Sequence, residues 1–170
     1  MITLEKRKRI KADSIIIDGF WGCGKSLLYN LLPAFRNTLR TKFLPELEWI
    51  YIIRNFEQID KLNSLAFLNT SLDNSIYKAF IGRETNLRWN DDSGLKNSDK
   101  KIQDIALLFS PEGDSVVDEI EKNNIAQCLW THNISLCNNS IKELSNKQMY
   151  FMKLIRNPIF IINNYKNFLK

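Results

Sequence analysis

The sequence predicts a single α/β domain, three-layered, with a mostly parallel central sheet and helices on both faces. Three observations predict it. A β-branched run, Ser14-Ile15-Ile16-Ile17-Asp18, leads directly into the glycine-rich stretch Gly19-Phe20-Trp21-Gly22-Cys23-Gly24-Lys25-Ser26, and leucines at helical spacing follow. Strand, loop and helix in that order form the first unit of an α/β sheet. Two later apolar runs read as strands beside helical segments, Ile125 to Trp130 as a buried one and Met149 to Ile155 as the clearest late one. The 170 residues suffice for one core, and no composition shift divides them, so residues 1–170 are read as one domain.

In chain order, Lys25 to about Leu39 follows a helical pattern through Leu27, Leu28, Leu31 and Leu32, with Pro33 placed to kink or end its first part. Leu47 to Phe56 is apolar-rich, and periodicity leaves strand and helix both open there. Glu57 to Phe80 reads as one or two short amphipathic helices. Asn86 to Lys101 is polar, contains Asp91-Asp92-Ser93-Gly94 and reads as a surface loop, either a lid or a plain connection. Ile102 to Phe109 fits helix or strand. Pro111-Glu112-Gly113-Asp114 is a turn and Ser115 to Asn123 a helix. Ser140 to Lys147 reads as a short polar helix. Pro158 suits the first turn of a last helix, Ile159 to Phe168. A chain stopping one helix after an inner strand is expected to lack the sheet's last strands, as in a truncated or compact variant.

Composition narrows the function classes. Hydrophobic residues make up 44%, with six glycines and four prolines, which excludes a disordered chain. No apolar run reaches the roughly 18 residues of a membrane span. The charged start, Met1 to Arg9, lacks the apolar stretch of an export signal. Cys23, Cys128 and Cys137 are too few and too widely spaced for a disulfide framework, and with His132 they do not make a zinc site. Reduced thiols and a cytoplasmic location are expected. The net charge of +5 suits a polyanionic small molecule. The cluster Lys6-Arg7-Lys8-Arg9 contributes much of it and reads as a solvated arm. No aromatic residues interleave with it, so no nucleic-acid partner is expected.

The glycine-rich stretch fits G-x-x-x-x-G-K-[ST] in full. Glycines let the backbone curl so that successive N–H groups face an anion. A following helix adds its unpaired N–H groups, Lys25 adds a mobile charge, and the Ser26 hydroxyl would meet magnesium if a triphosphate were bound. Gly19, Gly22, Cys23, Gly24, Lys25, Ser26 and Leu27 are therefore the candidate binding set. The acid that usually ends a later strand in nucleoside triphosphatases is missing: Trp130 is followed by Thr131 and His132, and Ile155 by Arg156. The C-terminal ends of parallel strands share one crevice with such a loop. His132 is thus a candidate base or a strand cap. Arg156 is a candidate bidentate phosphate holder or a salt-bridge partner at the sheet edge. Asn163 and Asn164 lie about two turns further on.

Together these residues resemble the sulfotransferases that use 3'-phosphoadenosine 5'-phosphosulfate (PAPS), relatives of the glycine-loop (P-loop) nucleotide kinases. Thr131-His132 resembles that family's catalytic pair, and Lys153-Leu154-Ile155-Arg156-Asn157-Pro158 its 3'-phosphate segment. The likeness is carried by Gly19–Leu32, Trp130–Asn133 and Lys153–Tyr165. It implies His132 as base, Lys25 at the transferred group, and Arg156 with Asn164 on the 3'-phosphate. The implied cofactor is PAPS, used without metal, and the acceptor is a small molecule, carbohydrate or lipid. The chain departs from the family in two respects. Its positive charge follows Gly24 instead of preceding it, as in kinases, which keeps ATP with magnesium as the alternative donor. Asn164 stands where the family has a serine, and no later basic loop follows. An inactive module that binds a nucleotide or a partner is the third reading. Oligomeric state is left open.

Overall fold

The computed structural model describes residues 9–89, 94–97, 101–109, 114–132, 134 and 148–168, and everything below concerns these. The expectations for Lys6 to Lys8, Asp91 to Ser93, Pro111 to Gly113, Asn133, Cys137 and Ser140 to Lys147 lie outside them. So do the side chains of Ser26 and Asn164.

β1 (Ser14–Asp18) is an inner strand, as its isoleucine run predicts. It pairs in parallel with β3 (Ala126–Thr131) on one side and with β4 (Met149–Lys153) on the other. A short strand, β2 (Thr38–Arg40), adds to the outer side of β3, so the sheet runs β2-β3-β1-β4 with every pair parallel. Alternation along the strands divides the core. Ile16, Leu129 and Met149 face α2 (Pro45–Asn55) and α3 (Lys61–Phe80), packing against Leu47, Ile50, Leu68 and Leu72. Ile15, Ile17, Cys128 and Trp130 face the other way, toward Leu28 of α1 (Lys25–Leu31) and Leu32. The far end of α3 closes on Ile10, Ala12 and on α5 (Asp114–Lys122) through Ile76, Val116, Val117 and Ile120. Four parallel strands flanked by helices make the three-layer α/β architecture. Two further helices are α4 (Lys101–Leu107) and α6 (Pro158–Phe168). No helix among the described residues is long and apolar enough to cross a membrane.

One segment differs from the sequence expectation, and two that the sequence left open take one of the forms it allowed. The helical reading of Lys25 to Leu39 stops at Leu31. Pro33 sits in a 3-10 turn, Leu32–Ala34, where its missing N–H is harmless, and Asn37 takes φ 60° to start β2. Tertiary pairing makes the strand: Ala126 N–H donates to Asn37 O at 2.9 Å and Thr41 N–H to Cys128 O at 3.0 Å. The ambiguous run Leu47 to Phe56 is helical. Pro45 occupies the first turn beside Glu46 and Glu48, and Leu47, Ile50 and Tyr51 are buried at spacings of three and four. Trp49, Ile52 and Ile53 point outward. The segment read as one or two helices is a single helix, Lys61–Phe80. Asp60 caps it by accepting from Asn63 N–H at 2.8 Å.

Candidate functional site

The strand order decides what meets the glycine-rich loop. The loop leaves the C-terminal end of β1, so its flanks are the ends of β3 and β4, at Thr131 and Lys153. Gly19 has no room for a side chain: a Cβ there would lie 2.7 Å from Leu154 O and 2.8 Å from Cys23 Sγ. Gly22 and Gly24 take φ 73° and 100°, left-handed values that glycine adopts without strain. Gly24 is the residue before α1, and no side chain caps that helix. Cys23 N–H turns back to Phe20 O at 3.3 Å. Leu27, in the candidate set, is largely exposed, and its N–H donates to Gly24 O at 3.1 Å.

Lys25 is buried, and its ammonium donates to Gly19 O and, at 3.2 Å, to Phe20 O. Burial holds its pKa below the ordinary lysine value, and the negative fields of Cys23, Asp18 and Glu48 oppose that shift. Its Nζ lies 5.9 Å from the Trp130 ring centroid.

Asp18 ties the ends of β1 and β3 together. Its Oδ1 accepts from Thr131 Oγ1 at 2.8 Å and from Ile134 N–H at 2.9 Å, all three residues being buried. His132 follows at once. Its backbone N–H donates to Glu48 Oε1 at 2.5 Å, and its Nδ1 lies 3.2 Å from the same oxygen. Glu48 reaches it from the first turn of α2. The His132 ring stacks on Trp21 of the loop, centroids 5.0 Å apart and planes at 17°. Phe43 and Trp130 stack on one another at 4.6 Å and abut the imidazole edge-on. Burial lowers the His132 pKa below 6.5. The Lys25 charge adds to that, and Glu48 and Asp18 oppose it.

On the other flank, Arg156 follows β4. Its Nη1 donates to Gly22 O at 3.0 Å, and its guanidinium lies 5.7 Å over Phe160. The rest of its donor fork is exposed at the rim of the loop.

The structure therefore brings Lys25, His132 and Arg156 to one loop, as their order in the sequence suggested. Asn163 stands on an exposed part of α6, two turns further on. Three contributors went unforeseen. In the sequence Glu48 is part of an apolar run, Asp18 is a strand boundary, and Phe43 belongs to no motif. A carboxylate just after a helix-starting proline was the one available signal for Glu48. Among the described residues no three His, Cys, Asp or Glu side chains gather as metal ligands. A cleft of about 710 Å³, lined by Ile10, Ala12, Leu62, Leu65, Asn69 and Gln148, opens at the opposite ends of the strands, away from this chemistry. Comparison of the chain with protein-family models, with curated proteins and with solved structures returned no match.

Proposed function

We propose that the chain is a transferase that moves a sulfuryl group from PAPS to a hydroxyl or amine acceptor. One observation carries the reading: the chain's single histidine, His132, is stacked on Trp21 of the glycine-rich loop, on the same strand-end edge as buried Lys25. A base with a lowered pKa beside an anion loop is the pairing that proton removal coupled to group transfer needs.

PAPS supplies a sulfuryl group already joined to a phosphate leaving group. The residues at the loop suit it. Lys25 exchanges its hold on Gly19 O and Phe20 O for the donor's oxygens and offsets the charge that develops there. His132 takes the acceptor's proton while the acceptor oxygen or nitrogen bonds to sulfur and the bond from sulfur to the phosphate oxygen breaks. Arg156 offers its free N–H pair to the 3'-phosphate. Small molecules, carbohydrates and lipids all qualify as acceptors.

The alternative is phosphoryl transfer from ATP with magnesium. Asp18 favours it, as a buried carboxylate one residue before the loop, together with the Lys25-Ser26 order. Calorimetry separates the two. Adenosine 3',5'-bisphosphate is expected to bind more tightly than ADP, with and without magnesium. Magnesium-dependent ATP binding with none for the bisphosphate transfers the assignment to the kinase reading. Absence of saturable binding by either reduces the domain to a partner-binding module. His132→Ala is expected to lower turnover on the order of 10²- to 10⁴-fold with donor affinity nearly intact.

A further inference from the structure

We propose that Glu48 is the positioning residue of this site: its carboxylate holds His132 as the Nδ1–H tautomer and so makes Nε2 the one nitrogen able to take a proton. The geometry is specific. One oxygen, Glu48 Oε1, receives the His132 backbone N–H at 2.5 Å and faces Nδ1 at 3.2 Å. An ionised carboxylate only accepts, so the hydrogen between Oε1 and the ring belongs to Nδ1. Nε2 then carries a lone pair and has no partner among the described residues. The aromatic contacts fix the ring's plane. Trp21 covers one face, and Phe43 and Trp130 meet it edge-on. A 180° flip of the ring would keep the Trp21 stack but set a carbon in place of Nδ1 against Glu48 and lose that contact.

The charges around the imidazole come from three elements. Glu48 reaches it from α2, Lys25 from the start of α1 and Asp18 from the end of β1, while β3 contributes the uncharged Trp130 ring. Burial and Lys25 disfavour the imidazolium, and Glu48 is the nearest charge that favours it. When Nε2 gains a proton, the new positive charge is shared with the Nδ1–H that already points at Glu48. Glu48 therefore sets which atom acts, and it offsets part of the Lys25 repulsion once the proton has arrived. A purely architectural role, tying α2 to the end of β3, needs only the backbone N–H bond and would leave the tautomer unset.

The tautomer is argued from the Glu48 contacts and not from any activity. Its catalytic consequence rests on the transferase reading, so the test reads the two separately. His132 is the chain's only histidine, so a ¹⁵N-histidine-labelled sample gives a single imidazole in long-range ¹H–¹⁵N spectra. The wild-type chain is expected to show a protonated Nδ1 and a bare Nε2 at neutral pH, titrating below 6.5. Glu48→Gln keeps an acceptor without its charge. The Nδ1–H form is expected to persist and the titration to move further down. Glu48→Met removes the acceptor, and the population is expected to move to the Nε2–H form. A wild-type spectrum with the proton on Nε2 overturns the proposal, as does a Met variant whose tautomer and titration match the wild type. If PAPS-dependent turnover is found, the acid limb of kcat in Glu48→Gln is expected to follow the shifted titration, a factor of about ten per pH unit. If no turnover is found, the transferase reading fails and the spectra still decide the role of Glu48.

Discussion

Replacing Asp18 with alanine removes one oxygen that two buried donors share. Thr131 Oγ1 and Ile134 N–H both end at Asp18 Oδ1, at 2.8 and 2.9 Å, where water does not reach them. A buried donor left without a partner costs about 1–3 kcal/mol, so two together cost about 2–6 kcal/mol. Asp18→Asn is the informative comparison. The amide is isosteric and keeps Oδ1 as acceptor for both donors. It loses the charge assistance, roughly 1 kcal/mol per bond, and sets an NH2 group where Oδ2 was. Urea unfolding followed by tryptophan fluorescence measures both variants. The expected result is a large drop in midpoint for alanine, a smaller one for asparagine, and an unchanged slope in each. His132 lies between the two donors, so the alanine variant should also loosen the end of β3 and shift the His132 imidazole resonances. Equal destabilisation by alanine and asparagine would refute the argument. It would mean that the negative charge near Lys25 matters, and that the shared oxygen does not.

Two further outcomes are expected. Gly19→Ala places a methyl group 2.7 Å from Leu154 O, a backbone atom whose residue also donates N–H to Asp18 O at 2.8 Å, so the chain must shift. A loss of about 1–3 kcal/mol in urea unfolding is expected, and a variant of wild-type midpoint contradicts it. Burial pushes the Cys128 thiol from 9.0 up to about 11. The folded chain then holds that proton more tightly than the unfolded chain does. The contribution is complete below about pH 9 and is lost as pH rises through 11, a change of roughly 2–3 kcal/mol. Stability that falls less steeply across that window in Cys128→Ala than in the wild type confirms it. In native buffer Cys128 should resist alkylation, and rapid labelling contradicts its burial.

How legible the fold was depended on whether a segment's own residues decide its shape. Ser14–Asp18 and Ala126–Thr131 are strands because their side chains are buried on both faces of the sheet, and that apolar pattern shows in the sequence; Met149–Lys153, expected as an inner strand, lies at the edge of the described sheet with Tyr150, Met152 and Lys153 exposed. β2 was hidden because three residues, Thr38-Leu39-Arg40, carry no period of their own. They are a strand only because β3 offers them a free edge. Leu47 to Phe56 was ambiguous because Trp49, Ile52 and Ile53 are exposed apolar residues that blur the helical stripe of Leu47, Ile50 and Tyr51. Propensity gives way to tertiary context in the first case, and burial does not follow hydrophobicity in the second.

The site shows a different limit. The loop was readable because its chemistry is contiguous: three glycines, a lysine and a serine within eight residues. His132 and Arg156 were readable because each directly follows a recognisable strand, and parallel strands end on the same edge. Their neighbours depend on strand order, which the sequence does not display. Because β1 lies between β3 and β4, His132 and Arg156 flank the loop on opposite sides. One reaches it through Trp21 and the other through Gly22 O. Glu48 required a further step, since its helix had to be recognised as a helix and then docked with its first turn over the end of β3. A carboxylate 84 residues from its histidine has no local signature. Interchanging β3 and β2 in the sheet would leave every motif intact and separate His132 from the loop. The nearness of His132 to the loop therefore depends on the β1–β3 pairing as much as on the glycines. Mutations that disturb that pairing at Asp18 or Thr131 should change His132's environment while leaving the loop's own sequence untouched.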